Sequence, residues 1–224
     1  MSAPAGAPQT PPLTSTKPTR SGKRFAAAAL FLVGGVLALV SAFTAWWALS
    51  VGGLTVSFLP GSSASSSEGG TTITETYAHI GIGTVGGMYE AILALAIIAG
   101  ALAIVAGLLG LVAGFGRLPQ NRQGIVRGLV IAAIVVALVA VVLAPAMQPW
   151  AIKDSGNKAP CSGFNGTSPC NAFWGSVSAN GTTNSWGAAT GWYLALAGSI
   201  LAIVGLVLWG PGRAESKPAG AATT

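Results

Sequence analysis

Residues 91–114 read AILALAIIAGALAIVAGLLGLVAG, a continuous apolar stretch without a charged side chain. About 20 such residues in a helix cross the hydrocarbon core of a bilayer. The full run covers 89–115, and three similar runs cover 25–49, 128–147 and 188–209. Only 7% of the 224 residues are charged, against about 25% in a typical soluble domain. The sequence therefore predicts an integral membrane protein with four transmembrane helices.

The segments between these runs predict the topology. Every Lys and Arg except Lys153 and Lys158 lies in a terminal tail or in the link between the second and third runs. Basic segments stay in the cytoplasm under the positive-inside rule, so both termini are expected on the cytoplasmic side of the cell membrane. The expected layout is a disordered tail 1–24, an outer loop 50–88, a cytoplasmic link 116–127, an outer loop 148–187 and a tail 210–224. Because the basic residues flank the spans, the net charge of +6 does not indicate a nucleic-acid partner.

The first run has two interpretations. Basic residues precede it, and Val40-Ser41-Ala42 resembles a signal-peptidase site. A signal-peptide core is only about 7 to 15 residues long, however. The longer run 25–49 favours an uncleaved first transmembrane helix.

Both outer loops contain signals of β-structure. Residues 54–58 and 73–77 alternate apolar and polar side chains around a Gly/Ser-rich stretch at 60–70, a pattern typical of a long-tipped β-hairpin. Residues 173–178 alternate in the same way and supply a candidate further strand. The predicted fold class is an all-α transmembrane four-helix bundle with a small extracellular β-rich cap.

The second outer loop carries both cysteines, Cys161 and Cys170. Two cysteines in an exported loop indicate a structural disulfide. A zinc site with His79, the single histidine, is the alternative, and the Cys-x-x-Cys spacing of redox sites is absent. Asn165 and Asn180 each begin an Asn-Gly-Thr sequence, which is either a glycosylation acceptor or an ordinary turn.

The spans offer little chemistry. They lack the intramembrane charges that mark ion or proton pathways. Glu90 lies at the outer end of the second span, where it is either a headgroup-level carboxylate or, with His79, part of a ligand site. No span contains the histidine that haem ligation usually needs. No catalytic or phosphate-binding motif is present, so we expect neither an enzyme nor a cofactor or metal.

Small residues recur at four-residue spacing in two spans. Ala106, Gly110 and Gly114 do so in the second, and Gly198 and Ala202 in the fourth. This spacing lets helix backbones approach closely. The contact is either internal to the bundle or made with another subunit.

The layout resembles the claudin and peripheral-myelin-protein type of tetraspan protein over about residues 25–210. That resemblance implies cytoplasmic termini, a strand-rich first outer loop and a smaller second one, with Trp46-Trp47 where the extracellular sheet begins. The claudin signature of Gly-Leu-Trp followed by two first-loop cysteines is absent, so no functional residue is carried over.

The leading hypothesis is a non-enzymatic structural or interaction protein that acts through its outer cap and its helix faces. Its expected partners are membrane lipids, other membrane subunits, copies of itself or an envelope component. Phe58 and Tyr77 are expected in the core of the cap. Phe173 and Trp174 are the candidate interaction residues, since neighbours on a strand point to opposite faces. The alternatives are an accessory subunit of a larger membrane enzyme or respiratory complex and, third, a channel or transporter.

Overall fold

The computed structural model of the chain describes residues 22–61, 63–119, 122–155, 161, 167–179 and 181–210. The helices are α1 (Gly22–Ser41), α2 (Gly83–Gly114), α3 (Gln123–Asp154) and α4 (Thr190–Trp209). The strands are β1 (Trp47–Val51), β2 (Leu54–Phe58), β3 (Ser63–Glu68), β4 (Thr71–Thr76), β5 (Gly175–Ala179) and β6 (Thr182–Ala188). All four helices are long and apolar enough to cross a membrane.

The helices approach one another through glycine and alanine. A Cβ added to Gly34 in α1 would lie 2.7 Å from the carbonyl oxygen of Gly198 in α4, and the reverse distance is also 2.7 Å. Gly35 and Gly100 bring α1 and α2 equally close, since each Cβ would lie 2.9 Å from the other carbonyl. The small residues singled out in the sequence are all buried: Ala106, Gly110, Gly114, Gly198 and Ala202. Their close contacts are therefore made within the bundle.

Helix α1 ends at Ser41, well before the predicted limit at residue 49. The last carbonyls of a helix have no intrahelical hydrogen-bond donor. Here the indole N–H of Trp46 donates to the Ser41 carbonyl at 2.7 Å, and the backbone turns after this point. The Trp46 backbone N–H then donates to the Phe58 carbonyl at 2.9 Å. The tryptophan pair thus ends the helix and begins the sheet.

Helix α3 continues to Asp154 through Pro145 and Pro149, although these prolines were expected to end it near residue 147. Pro145 has no N–H to donate to the Val141 carbonyl four residues earlier. The indole N–H of Trp192 in α4 donates to that carbonyl instead, at 2.9 Å. A neighbouring helix can replace a lost backbone bond in this way inside a membrane.

The strands form one six-stranded antiparallel sheet in the order β4-β3-β2-β1-β6-β5, so the term all-α is imprecise for this chain. The two strands predicted at 54–58 and 73–77 exist as β2 and β4, but they do not pair with each other. Strand β3 lies between them and occupies the stretch expected to be a hairpin tip. The segment between α3 and α4 adds β6 and β5 to β1.

The sheet covers one end of the helix bundle. The C-terminal ends of α1 and α3 and the N-terminal ends of α2 and α4 all lead into or out of this cap. At the opposite end, Arg24 in α1 lies 5.9 Å above the ring of Trp209 at the end of α4. The basic ends of the helices therefore lie away from the sheet.

Candidate interaction surface

One face of the sheet is built almost entirely of hydroxyl side chains. Side chains alternate between faces along a strand, and directly paired residues share a face. The register places Ala48, Gly187 and otherwise only serine and threonine on the face turned away from the bundle. We call this set the hydroxyl face; it comprises Ser50, Thr55, Ser57, Ser63, Ser65, Ser67, Thr72, Thr74, Thr76, Ser176, Ser178, Thr183 and Ser185. All of them are exposed or partly exposed.

A single row of hydroxyls crosses all six strands of this face. The pairings run without a break from edge to edge, through Thr72, Ser67, Thr55, Ser50, Ser185 and Ser176. Two of the cross-strand pairs on this face bring their hydroxyls into contact. Ser50 and Thr55 lie 3.5 Å apart, and Ser178 and Thr183 in the next row lie 2.9 Å apart. Adjacent strands are about 4.8 Å apart, so the row repeats at that interval.

The hydroxyl face carries no ionisable side chain within the six strands. Glu68 and Glu75, the acidic residues of β3 and β4, fall on the opposite face by register. His79 follows β4 and its Nε2 lies 4.0 Å from Glu75 Oε1, with both side chains well exposed. The surface is therefore polar but uncharged.

The central part of the opposite face is apolar and packs on the bundle, whereas Glu68, Thr71 and Thr182 on that face are polar and exposed. Trp47 meets Phe58 edge-on at 4.9 Å, and Phe58 stacks on Tyr77 at 6.0 Å. Tyr77 in turn stacks on Tyr89 of α2 at 5.8 Å. Phe58 and Tyr77 are both buried, as expected of core residues. This aromatic layer packs the sheet on the helices.

Hydrogen bonds from buried ring groups complete that attachment. The Tyr77 hydroxyl donates to the Leu59 carbonyl at 2.7 Å, and burial raises the pKa of its phenol well above the ordinary value. The Tyr89 hydroxyl donates to Oε1 of Gln148, a buried side chain of α3. The Gln148 Nε2 amide is buried at the same junction and has no hydrogen-bond partner among the described residues.

The two candidate interaction residues lie on different sides of the sheet. Phe173 is buried, and its carbonyl accepts the Trp47 indole N–H at 2.8 Å. Trp174 is 48% exposed. Its ring fills the space above Gly187, where an added Cβ would lie 2.6 Å from Trp174 Cδ1. Trp174 is therefore the large exposed aromatic ring at the margin of the hydroxyl face, and Phe173 is a core residue.

Cys161 and Cys170 are joined by a disulfide, with a Cα–Cα distance of 5.6 Å. The bond consumes both thiols and so removes two of the three ligands of the alternative zinc site. No group of three His, Cys, Asp or Glu residues suited to a metal occurs among the described residues. Asn165 and Asn180 lie outside the described residues. Glu90 is exposed at the start of α2.

A small cavity of about 10 Å³ lies between the helices. It is lined by small side chains, including Gly34, Ala103, Ala137 and Gly198, and its polar residue is Ser199. The Ser199 hydroxyl already donates to the Ala195 carbonyl at 2.8 Å. A space of this size holds about one water molecule. This cavity is therefore too small to form a pore by itself.

The hydroxyl face is the feature that sequence reasoning missed. Its signal was serine or threonine at every second position, which is visible at 63–67, 72–76 and 183–185. Alternation of apolar residues does not reveal it, because β3 offers only Ala64 in a run of Ser and Glu. No protein-family model and no curated protein sequence matches this chain.

Proposed function

We propose that the chain is a non-enzymatic interaction protein of the cell membrane, and that the hydroxyl face is its contact surface. The observation that carries this proposal is the continuous, uncharged and exposed array of hydroxyls across all six strands. A surface of this regularity is held in place by the aromatic layer beneath it. A sheet packed on the bundle presents these hydroxyls from a preorganised backbone, which lowers the entropy cost of binding.

The packing of the helices supports this choice of surface. The small residues that would let another subunit approach are used between α1, α2 and α4. The remaining helix surface is apolar and suits contact with lipid acyl chains. The bundle then acts as an anchor, and membrane lipids are its partners along the helices.

The charge distribution supports an outward-facing cap. Arg117, Arg122 and Arg127 flank the link between α2 and α3, at the end of the bundle opposite the sheet. The positive-inside rule assigns that end to the cytoplasm. Both termini then lie inside the cell and the hydroxyl face lies outside. The architectural resemblance to claudin-type tetraspan proteins belongs to the same proposal.

A second candidate function is that of an accessory subunit in a larger membrane complex. It is favoured by a shallow apolar concavity of about 460 Å³ on α3. Val135, Val139 and Val142 line it and are exposed by about half or more. A helix of another subunit would bury these side chains, as would lipid.

Photocrosslinking in living cells separates the two functions. A benzophenone amino acid is placed at Thr74 on the hydroxyl face, or at Val139 in the α3 concavity. Thr71 is the matched control, because it is exposed on the same strand but faces the other way. We expect macromolecular adducts from Thr74 and few from Thr71. Protein adducts from Val139 alone would favour the accessory subunit, and absence of adducts from Thr74 would contradict the proposed function.

A further inference from the structure

We propose that the hydroxyl face binds a neutral polysaccharide chain laid across its strands. This inference rests on the proposed function and names the partner of the same surface. It follows from three properties of that face: its lack of charge, the regular spacing of its hydroxyls and the exposed tryptophan at its margin.

The lack of charge selects the class of ligand. An anionic polymer needs Lys or Arg on the surface that binds it, and none lies on the strands of the hydroxyl face. A cationic peptide needs carboxylates, yet Glu68 and Glu75 are on the opposite face. The complementary partner of this surface is therefore polar and uncharged.

Composition argues against a protein as that partner. The centres of protein interfaces are enriched in aromatic residues, Met and Arg and are depleted of Ser. The centre of the hydroxyl face is Ser50 in β1, Thr55 in β2 and Ser185 in β6, with Ala48 and Gly187 beside them. This surface offers no apolar anchor at its centre for a protein to bury.

The hydroxyl groups of this face match those of a sugar chain in hydrogen-bonding capacity and in spacing. Each Ser or Thr hydroxyl both donates and accepts hydrogen bonds, as does each sugar hydroxyl, so that either direction of bonding is available. The row from Thr72 to Ser176 repeats at about 4.8 Å from strand to strand. An extended polysaccharide presents hydroxyls along its length at intervals of similar size.

Trp174 adds the apolar contact that hydroxyls lack. Its ring lies over Gly187 beside the hydroxyl face and keeps half of its surface exposed. Edge-on contacts fix the ring against Phe173 at 4.4 Å and against Trp192 at 5.7 Å. The electron-rich face of an aromatic ring attracts the C–H groups of a sugar ring. Trp174 thus offers a stacking position where a bound chain passes the edge of the array.

The same chemistry predicts a preference for polymers. Each hydroxyl exchanges a bond to water for a bond to sugar, so its net gain is small. Many such contacts must form together, and a chain that engages several sites at once gains through effective concentration. We therefore expect retention of polysaccharides and no measurable binding of monosaccharides.

The test uses the full chain, purified in detergent micelles. Retention is measured on neutral polysaccharides (cellulose, mannan, galactan and an α-glucan) and on heparin as a charged control. The variant Thr55→Val/Thr72→Val/Thr183→Val removes hydroxyls from β2, β4 and β6 with little change of shape. The control Thr71→Val/Thr182→Val makes the same exchange on the opposite face of β4 and β6, where both threonines are exposed. Circular dichroism verifies that each variant is folded.

We expect at least one neutral polysaccharide to retain the protein, independently of salt, while heparin does not. The hydroxyl-face variant should bind about tenfold more weakly, and the control should bind as the wild type does. Trp174→Phe, which keeps an apolar ring in place, should bind more tightly than Trp174→Ser.

Three outcomes would overturn the inference. They are no retention on any neutral polysaccharide, an equal loss of binding in the two threonine variants, or an intact protein mass that shows sugars covalently attached to the hydroxyl face. The last result would make the face a modification site. Protein adducts from Thr74 in the crosslinking experiment, without polysaccharide retention, would refute this inference while leaving the proposed function standing.

Discussion

Replacing Gly198 by alanine should destabilise the bundle by forcing α1 and α4 apart. The new Cβ would lie 2.7 Å from the Gly34 carbonyl oxygen, which is closer than the 3.0 Å that real Cβ contacts respect. The obstacle is backbone, so no side-chain rotation relieves it. The two helices must therefore separate or shift along the whole contact.

The expected cost follows from two opposing terms. Overpacking a well-filled core costs about 1 to 3 kcal/mol. Alanine recovers up to about 1 kcal/mol through its higher helix propensity. We therefore expect the free energy of unfolding to fall by about 1 to 2 kcal/mol, and further when Gly35→Ala repeats the clash between α1 and α2.

Gly128→Ala is the matched control for this experiment. Gly128 lies in α3, is exposed, and has no atom within 4 Å of its added Cβ. It should keep or slightly raise stability. Unfolding of both variants is followed in mixed micelles by circular dichroism against denaturant. Equal stability of Gly198→Ala and Gly128→Ala would refute the close contact between α1 and α4.

Three further predictions concern the cap and its junction with the helices. The variant Cys161→Ser/Cys170→Ser should lower the free energy of unfolding by up to about 3 kcal/mol, and a thiol assay on the unreduced, denatured wild type should find no free thiol. Trp192→Phe removes the donor to the Val141 carbonyl and should cost about 1 to 3 kcal/mol, measured as a lower melting temperature. Tyr77→Phe should cost about 1 kcal/mol. Because burial raises the pKa of Tyr77, wild-type stability should hold below pH 10.0 and fall above it, and this alkaline loss should be smaller in Tyr77→Phe.

The transmembrane runs were predictable because each is long, apolar and free of charge. Their limits were not, since tertiary contacts decide where a helix ends. Trp46 and Trp47 extend the apolar run of α1, yet Trp46 ends the helix by a hydrogen bond to Ser41. Pro145 should have ended α3, but Trp192 in another helix supplies the missing donor.

The sheet was predictable only in part for a related reason. Strands β2 and β5 alternate apolar and polar residues and were found. Strand β3 has intrinsically poor strand formers and exists because β2 and β4 pair with it on both sides. Such pairing energy is non-local and leaves no mark in a short window of sequence. The alternation of Ser and Thr is visible within single strands, but their alignment into one face depends on the register of six strands.

Thiol labelling in intact cells tests most directly whether the hydroxyl face points outward. The described cysteines form a disulfide and none is free, so a single engineered cysteine is the only reactive thiol. Thr74→Cys places it on the hydroxyl face, and Arg117→Cys places it at the opposite end of the bundle, where both native side chains are exposed. A membrane-impermeant maleimide should label Thr74→Cys in intact cells and Arg117→Cys only after permeabilisation. The reverse pattern would contradict the account, because the hydroxyl face would then face the cytoplasm.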